Sequence, residues 1–226
     1  MARKKLEAEN MDLQQADALH DAVFSVGTFK PKFNPGNGKV FSDELGIFGS
    51  AFLTQKSKNL ITCAHVVDDL LKQPMELAGL LVVGYKGGFY RAVVSVIDHQ
   101  HDLAVLKIVD DFPHEIIGLV VADKDPKQSE KVAWAGFPLG NYLLNQLHDP
   151  TYNEGVVGIS KRHDREVGRK YVQISGVVVG GYSGCPVISK VDGCVVGVVS
   201  NGPQNTGIFM SISHEHLAAI LELVES

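Results

Sequence analysis

Three short runs carry residue types able to perform acyl transfer, and they fall in a fixed order. They are Ile61-Thr62-Cys63-Ala64-His65-Val66-Val67, then His101-Asp102-Leu103-Ala104-Val105-Leu106, then Gly180-Gly181-Tyr182-Ser183-Gly184-Cys185-Pro186. The reference pKa of an imidazole lies near neutrality, so His65 is suited to take and return a proton. Asp102 stands directly ahead of an apolar run, where a carboxylate at a strand end can point inward and hold a histidine tautomer. Ser183 sits in a glycine-rich turn, which lets the backbone approach a reacting carbonyl closely. Nucleophile, base and orienting carboxylate together make a hydrolytic triad; each residue alone would say little. Asp98 competes with Asp102 for the acidic role, but only Asp102 abuts the apolar run. His99 and His101 lack a third ligand at a metal-binding spacing and read as solvated loop residues.

These residues need a scaffold, and the texture of the chain is that of short strands. From Phe48 onward, runs such as GSAFLT (49–54), NLITCA (59–64), LAGLLVVGY (77–85), YRAVVSVI (90–97) and DLAVLKI (102–108) have strand length and β-branched content. A break near 110–130 precedes a second set: 131–138, 155–160, 171–177, 185–190, 193–200 and 207–212. Two sets of short strands predict an all-β protein of the barrel or sandwich kind. Ser213 caps a C-terminal helix with Leu217, Ile220, Leu221 and Val224 on its apolar stripe. Residues 3–20 are helix-prone, with Leu6, Leu13, Ala16 and Leu19 near one face, and 30–39 read as a loop.

Bulk properties narrow the function. With 226 residues and 45% apolar content the chain can bury a real core, as one large domain or two small ones. A formal charge of -5 gives no basic stripe for nucleic acid. No stretch has the length and apolarity of a membrane-spanning helix, and the N-terminus lacks a signal-peptide apolar region. Cys63, Cys185 and Cys194 are an odd number with no zinc-type spacing, so no metal is expected.

Each of the three runs resembles the matching segment of chymotrypsin-like serine proteases, most closely the compact protease domain of HtrA-type proteins. AWAGFPLG (133–140) and NEGVVGISKR (153–162) resemble further HtrA-type segments. The resemblance implies a chymotrypsin-like double β-barrel ending in a helix. It divides the chain into an extension (1–39), a first barrel (40–115), and a second barrel with the C-terminal helix (116–226). It also implies a serine endopeptidase with catalytic His65, Asp102 and Ser183. The Gly181 and Ser183 amides would form the oxyanion hole, and no cofactor would be needed. Val177, Val178, Ser200, Asn201, Gly202, Gly207 and Phe209 would bind substrate. With Val177 where trypsin carries its acidic residue, an uncharged P1 side chain of small or medium size is expected.

The chain departs from the family at two places. Tyr182 replaces the Asp or Asn before the nucleophile, so packing or its hydroxyl must set the oxyanion turn. Cys185 replaces a glycine, as in some viral relatives. A catalytically inactive peptide-binding module and a viral-type polyprotein-processing protease therefore stand as alternatives. Secreted trypsin-like enzymes usually carry a cysteine directly after the histidine, where this chain has Val66. The missing disulfide framework implies a reducing compartment, the cytoplasm or a host cytosol. The expected partner is a peptide or protein substrate.

Overall fold

A computed structural model describes residues 2–29, 32–34, 39–41, 45–55, 59–72, 81–140, 149–203 and 206–225. Helix α1 (Ala2–Asp21) leads into β1 (Val23–Phe29), a small hairpin of β2 (Lys32–Asn34) and β3 (Lys39–Phe41), and β4 (Leu45–Leu53). Next come β5 (Leu60–Thr62), helix α2 (Ala64–Leu71), β6 (Leu81–Tyr85), β7 (Gly88–Asp98) and β8 (Leu103–Ile108). The second half holds β9 (Lys131–Gly136), β10 (Thr151–Asp164), β11 (Arg169–Ser175), β12 (Pro186–Ser189), β13 (Val195–Asn201), β14 (Ile208–Ser213) and helix α3 (His214–Glu225).

The strands close into two six-stranded antiparallel barrels, ordered β1-β4-β5-β8-β7-β6 and β10-β11-β14-β13-β12-β9. Closure removes the exposed strand edges that an open sheet would present. This is the chymotrypsin-like double barrel with a C-terminal helix. Every strand read beyond residue 48 has its counterpart, although residues 77–80 and the loop portions at 35–38 and 141–148 lie outside the described residues.

The first barrel does not begin at residue 40. Val23–Phe29, assigned from sequence to an extension, pairs with β4 on one side and β6 on the other and closes the barrel. Ser25, Gly27 and Thr28 interrupt its apolar run, and the partners that bury it are remote in sequence. Residues 32–34 and 39–41 likewise pair as a short hairpin within the expected loop.

Alternation along β9 shows how the barrels meet. Val132 and Trp134 point into the second barrel, while Ala133 and Ala135 join the cluster that spans both barrels and α3. Leu217, Ile220 and Leu221 of α3 are buried in that same cluster, as the stripe predicts. On α1, Leu19 is buried but Leu13 is exposed; Leu6 falls where side chains are not described. The linker between barrels touches both: Leu119 bridges to Thr54, and Val121 to Val195. Among the described residues no helix is long and apolar enough to cross a membrane.

Candidate active site

Asp102 occupies the last position of the turn between β7 and β8, with a left-handed φ of 58°. Such a backbone is strained for a non-glycine residue and persists where its surroundings over-determine it. Here the carboxylate accepts from the His65 amide (3.0 Å), from His65 Nδ1 (2.9 Å to Oδ2) and from the Ser200 hydroxyl (2.7 Å). Burial pushes the Asp102 carboxyl up, but the His65 bonds and charge and the Ser200 hydroxyl outweigh it and leave it below its ordinary value. The competing Asp98 is engaged elsewhere: it accepts from the amide of His101 (3.0 Å) and from its Nδ1 (2.6 Å).

The strand read over 59–64 ends earlier than the sequence suggested, and His65 lies on a helix. β5 stops at Thr62, Cys63 is the N-cap, and His65 lies in the first turn of α2. Ala64, Val66, Val67 and Leu70 bury the helix against the barrel. Donation from Nδ1 to Asp102 leaves Nε2 as the acceptor.

Ser183 donates to the carbonyl of Ser200 at 3.2 Å, at the long end of hydroxyl hydrogen bonding. Ser200 therefore contacts both Asp102 and Ser183. Among the described residues the Gly181 and Ser183 amides have no intramolecular acceptor. The preceding carbonyl, of Gly180, is taken by the Leu139 amide at 2.6 Å. A trans peptide directs its C=O and N–H oppositely, so this bond turns the Gly181 N–H away from Leu139. Gly181 has φ +97°, and a Cβ there would stand 2.1 Å from the Phe137 carbonyl oxygen. Gly184, at φ +88°, would meet the Ser50 oxygen at 2.2 Å. Both positions demand glycine.

Tyr182 is buried in the core of the second barrel, and its hydroxyl accepts from Asn153 Nδ2 of β10 at 2.5 Å. Burial pushes its pKa up to about 12. Packing and that one bond take the place of the acidic or amide side chain usual in the family. Cys63 and Cys185 are fully buried, and burial raises both thiols well above their ordinary value. They remain protonated at neutral pH and serve as small core residues. All three cysteines are free. Cys63, His65 and Asp102 bring metal-type donor atoms within 4.8 Å of one another. That set is already engaged, with His65 bonded to Asp102 and the Cys63 thiol donating to the Val199 carbonyl at 3.2 Å.

The expected substrate residues divide among different places. Val177, Val178 and Gly207 line one cavity of about 330 Å³, joined by Val179, Pro203 and Thr206. Ser200 and Asn201 line a second, of about 420 Å³, with His65, Asp102, His99 and Arg169. Gly202 and Phe209 line neither. Phe209 is fully buried, its ring 4.9 Å from that of Trp134. Strand parity explains this: on β14 Ile208 faces the first cavity, so Phe209 must point into the barrel.

Two contacts escaped the sequence. Arg169 donates to the carbonyls of His99 and Gln100, reaching from the second barrel to the turn that bears Asp102. His101 of that turn stacks on His216 of α3, ring centroids 4.0 Å apart.

Comparison with known proteins agrees with this geometry. The model of the trypsin-like peptidase domain matches residues 49–198. Serine protease HTRA4 of Mus musculus is 30% identical over 179 residues, covering 77% of this chain and 34% of that protein. Bovine "Serine protease HTRA2, mitochondrial" is 29% identical over 178 residues, covering 76% of this chain and 35% of that one. The chain thus spans about a third of the length of these relatives. The active form of the Rv3671c protease from M. tuberculosis shares the fold, with a TM-score of 0.63 at 21% identity, over 92% of this chain and 82% of that one.

These relatives overturn the cytoplasmic reading. One is named mitochondrial, and another, from Halomonas elongata, is named a probable periplasmic endoprotease. The cysteines misled because Cys63 and Cys185 report core packing, not a redox compartment. Barrels, cleft, Asp102–His65 pair and glycine turn converge with the family match: the chain belongs to the trypsin-like peptidase domain family, and within it is related to the HtrA-type proteases.

Proposed function

We propose that this chain is a serine endopeptidase acting on peptide or protein substrates. The observation that carries the reading is the Asp102 carboxylate bonded to His65 Nδ1 at 2.9 Å, beside a Ser183 turn whose Gly181 and Ser183 amides have no acceptor among the described residues.

In this reading Ser183 turns from the Ser200 carbonyl toward His65 and attacks the scissile carbonyl. Nε2 takes the hydroxyl proton, and Asp102 stabilises the imidazolium without taking that proton itself. The Gly181 and Ser183 amides receive the developing oxyanion. His65 then protonates the leaving amine, and water completes hydrolysis of the acyl-enzyme by the same proton route. The cavity between Val177–Val179 and Gly207 receives the P1 side chain. Its valine and proline lining favours an uncharged P1 residue of small or medium size. The end of β13 at Ser200 and Asn201, past its pairing with β12, offers main-chain groups for an extended peptide.

The test is hydrolysis of a fluorogenic peptide library by the wild type, His65→Ala and Ser183→Ala. Cleavage after valine or alanine, lost in both variants, supports the reading. A folded wild type that binds peptides without cleaving them would instead mark a protease-like binding module.

A further inference from the structure

Ser50 is fully buried on β4 of the first barrel and lines none of the substrate cavities, yet it bonds to the glycine turn at both Gly181 and Ser183. Its amide donates to the Ser183 carbonyl at 2.8 Å. Its hydroxyl donates to the Gly181 carbonyl at 2.7 Å and accepts from the Phe137 amide at 3.0 Å. Its own carbonyl accepts from the Thr62 hydroxyl at 2.7 Å, which fixes the residue against β5.

These bonds bear on one rotation. Gly181 has no Cβ, so the Gly180–Gly181 peptide can turn over at little intrinsic cost. A turned peptide would present the Gly180 carbonyl where the Gly181 N–H now stands, and an oxyanion would meet an oxygen. Two carbonyls on either side of Gly181 are pinned: that of Gly180 by Leu139, and that of Gly181 by Ser50. The Ser50 hydroxyl also holds Phe137, in the segment that supplies the Leu139 amide. One hydroxyl thus steadies both restraints. Without it the Gly181 carbonyl and Phe137 N–H lose their partners in a buried place, where unpaired polar groups are costly. Reorientation of the Gly181 peptide is one way to relieve that cost.

We propose that Ser50 is a positioning residue that keeps the Gly181 amide turned toward the oxyanion. This rests on the serine-hydrolase reading above. The test compares wild type, Ser50→Ala and the near-isosteric Ser50→Cys. The readouts are kcat and KM on a fluorogenic peptide, affinity for a peptide boronate, melting temperature and the NMR signal of the Gly181 amide.

Loss of one oxyanion donor costs about 10²–10³ in kcat, so partial misplacement in Ser50→Ala should lower kcat by about 10–100-fold. KM should stay within about twofold, since the ground state gains little from that amide. Boronate affinity should fall with kcat, and the Gly181 signal should broaden or double. Ser50→Cys should lie between. A folded Ser50→Ala protein with wild-type kcat and an unchanged Gly181 signal would overturn the proposal. Should Ser50→Ala fail to fold, Ser50→Cys decides: full kcat with an unchanged signal overturns it. An inactive wild type would instead sink the hydrolase reading, while the Gly181 signal would still decide on Ser50.

Discussion

Arg169 on the second barrel donates to the Gln100 carbonyl on the first from two nitrogens, at 3.0 and 2.7 Å. Two residues later comes Asp102, whose left-handed backbone needs external support. The Gln100 side chain reaches back to the Val167 carbonyl at 3.2 Å, so each barrel grips the other at the turn that bears Asp102. Arg169→Met keeps the aliphatic stem and removes the guanidinium. It should lower kcat/KM by about tenfold and stability by about 1–2 kcal/mol, a range typical of charge-assisted bonds that are partly exposed. Denaturant titration alongside steady-state kinetics checks both numbers.

Asp102→Asn tests the tautomer directly. An amide in place of the carboxylate can donate to Nδ1, which would place the His65 proton on the wrong nitrogen. The kcat should fall on the order of 10⁴-fold while the melting temperature changes little. A decrease below about tenfold would mean that Asp102 does not orient His65.

Tyr182 separates packing from hydrogen bonding in the glycine turn before Ser183. Tyr182→Phe retains the ring in its apolar cluster and deletes the bond to Asn153. Stability should drop by about 1 kcal/mol with kcat within about twofold. Tyr182→Ala should cost about 3–5 kcal/mol through the cavity it leaves. Thermal melts and single-substrate kinetics of both variants give the comparison.

Stability should depend on pH through His216. Burial, the neighbouring His101 and Lys170 push its pKa down to about 4, with Glu215 and Asp98 opposing. Its Nε2 accepts from the Lys170 amide at 2.8 Å and must be unprotonated to do so. The folded pKa lies below the unfolded value of about 6.5, so the unfolded chain binds the proton first. The contribution is complete above about pH 6.5 and is lost progressively as pH falls toward 4. After allowance for solvent screening it should amount to about 1–2 kcal/mol. His216→Asn should flatten that part of a stability–pH curve measured by denaturant unfolding.

The His65–Asp102 pair and the glycine turn at Ser183 were legible because each residue sits in a local run whose residue types state its chemistry. Strands such as β8 and β9 were legible for the same reason, through β-branched content bounded by turns. What sequence could not supply was long-range. β1 needs β4 and β6 to be recognised as a strand, and Ser50 gains its meaning from Gly181, far along the chain. Phe209 and Ile208 differ by one residue of strand parity, which puts the Phe209 side chain in the core while Ile208 lines the cavity.

The central claim is that Ser183 is an activated nucleophile beside a usable oxyanion site. The most direct measurement is reaction of the folded protein with a fluorophosphonate, followed by peptide mass spectrometry to locate the adduct. A single adduct on Ser183, slowed by His65→Ala and absent in Ser183→Ala, is the predicted result. A folded wild type that stays unmodified, or one labelled equally well without His65, would contradict it.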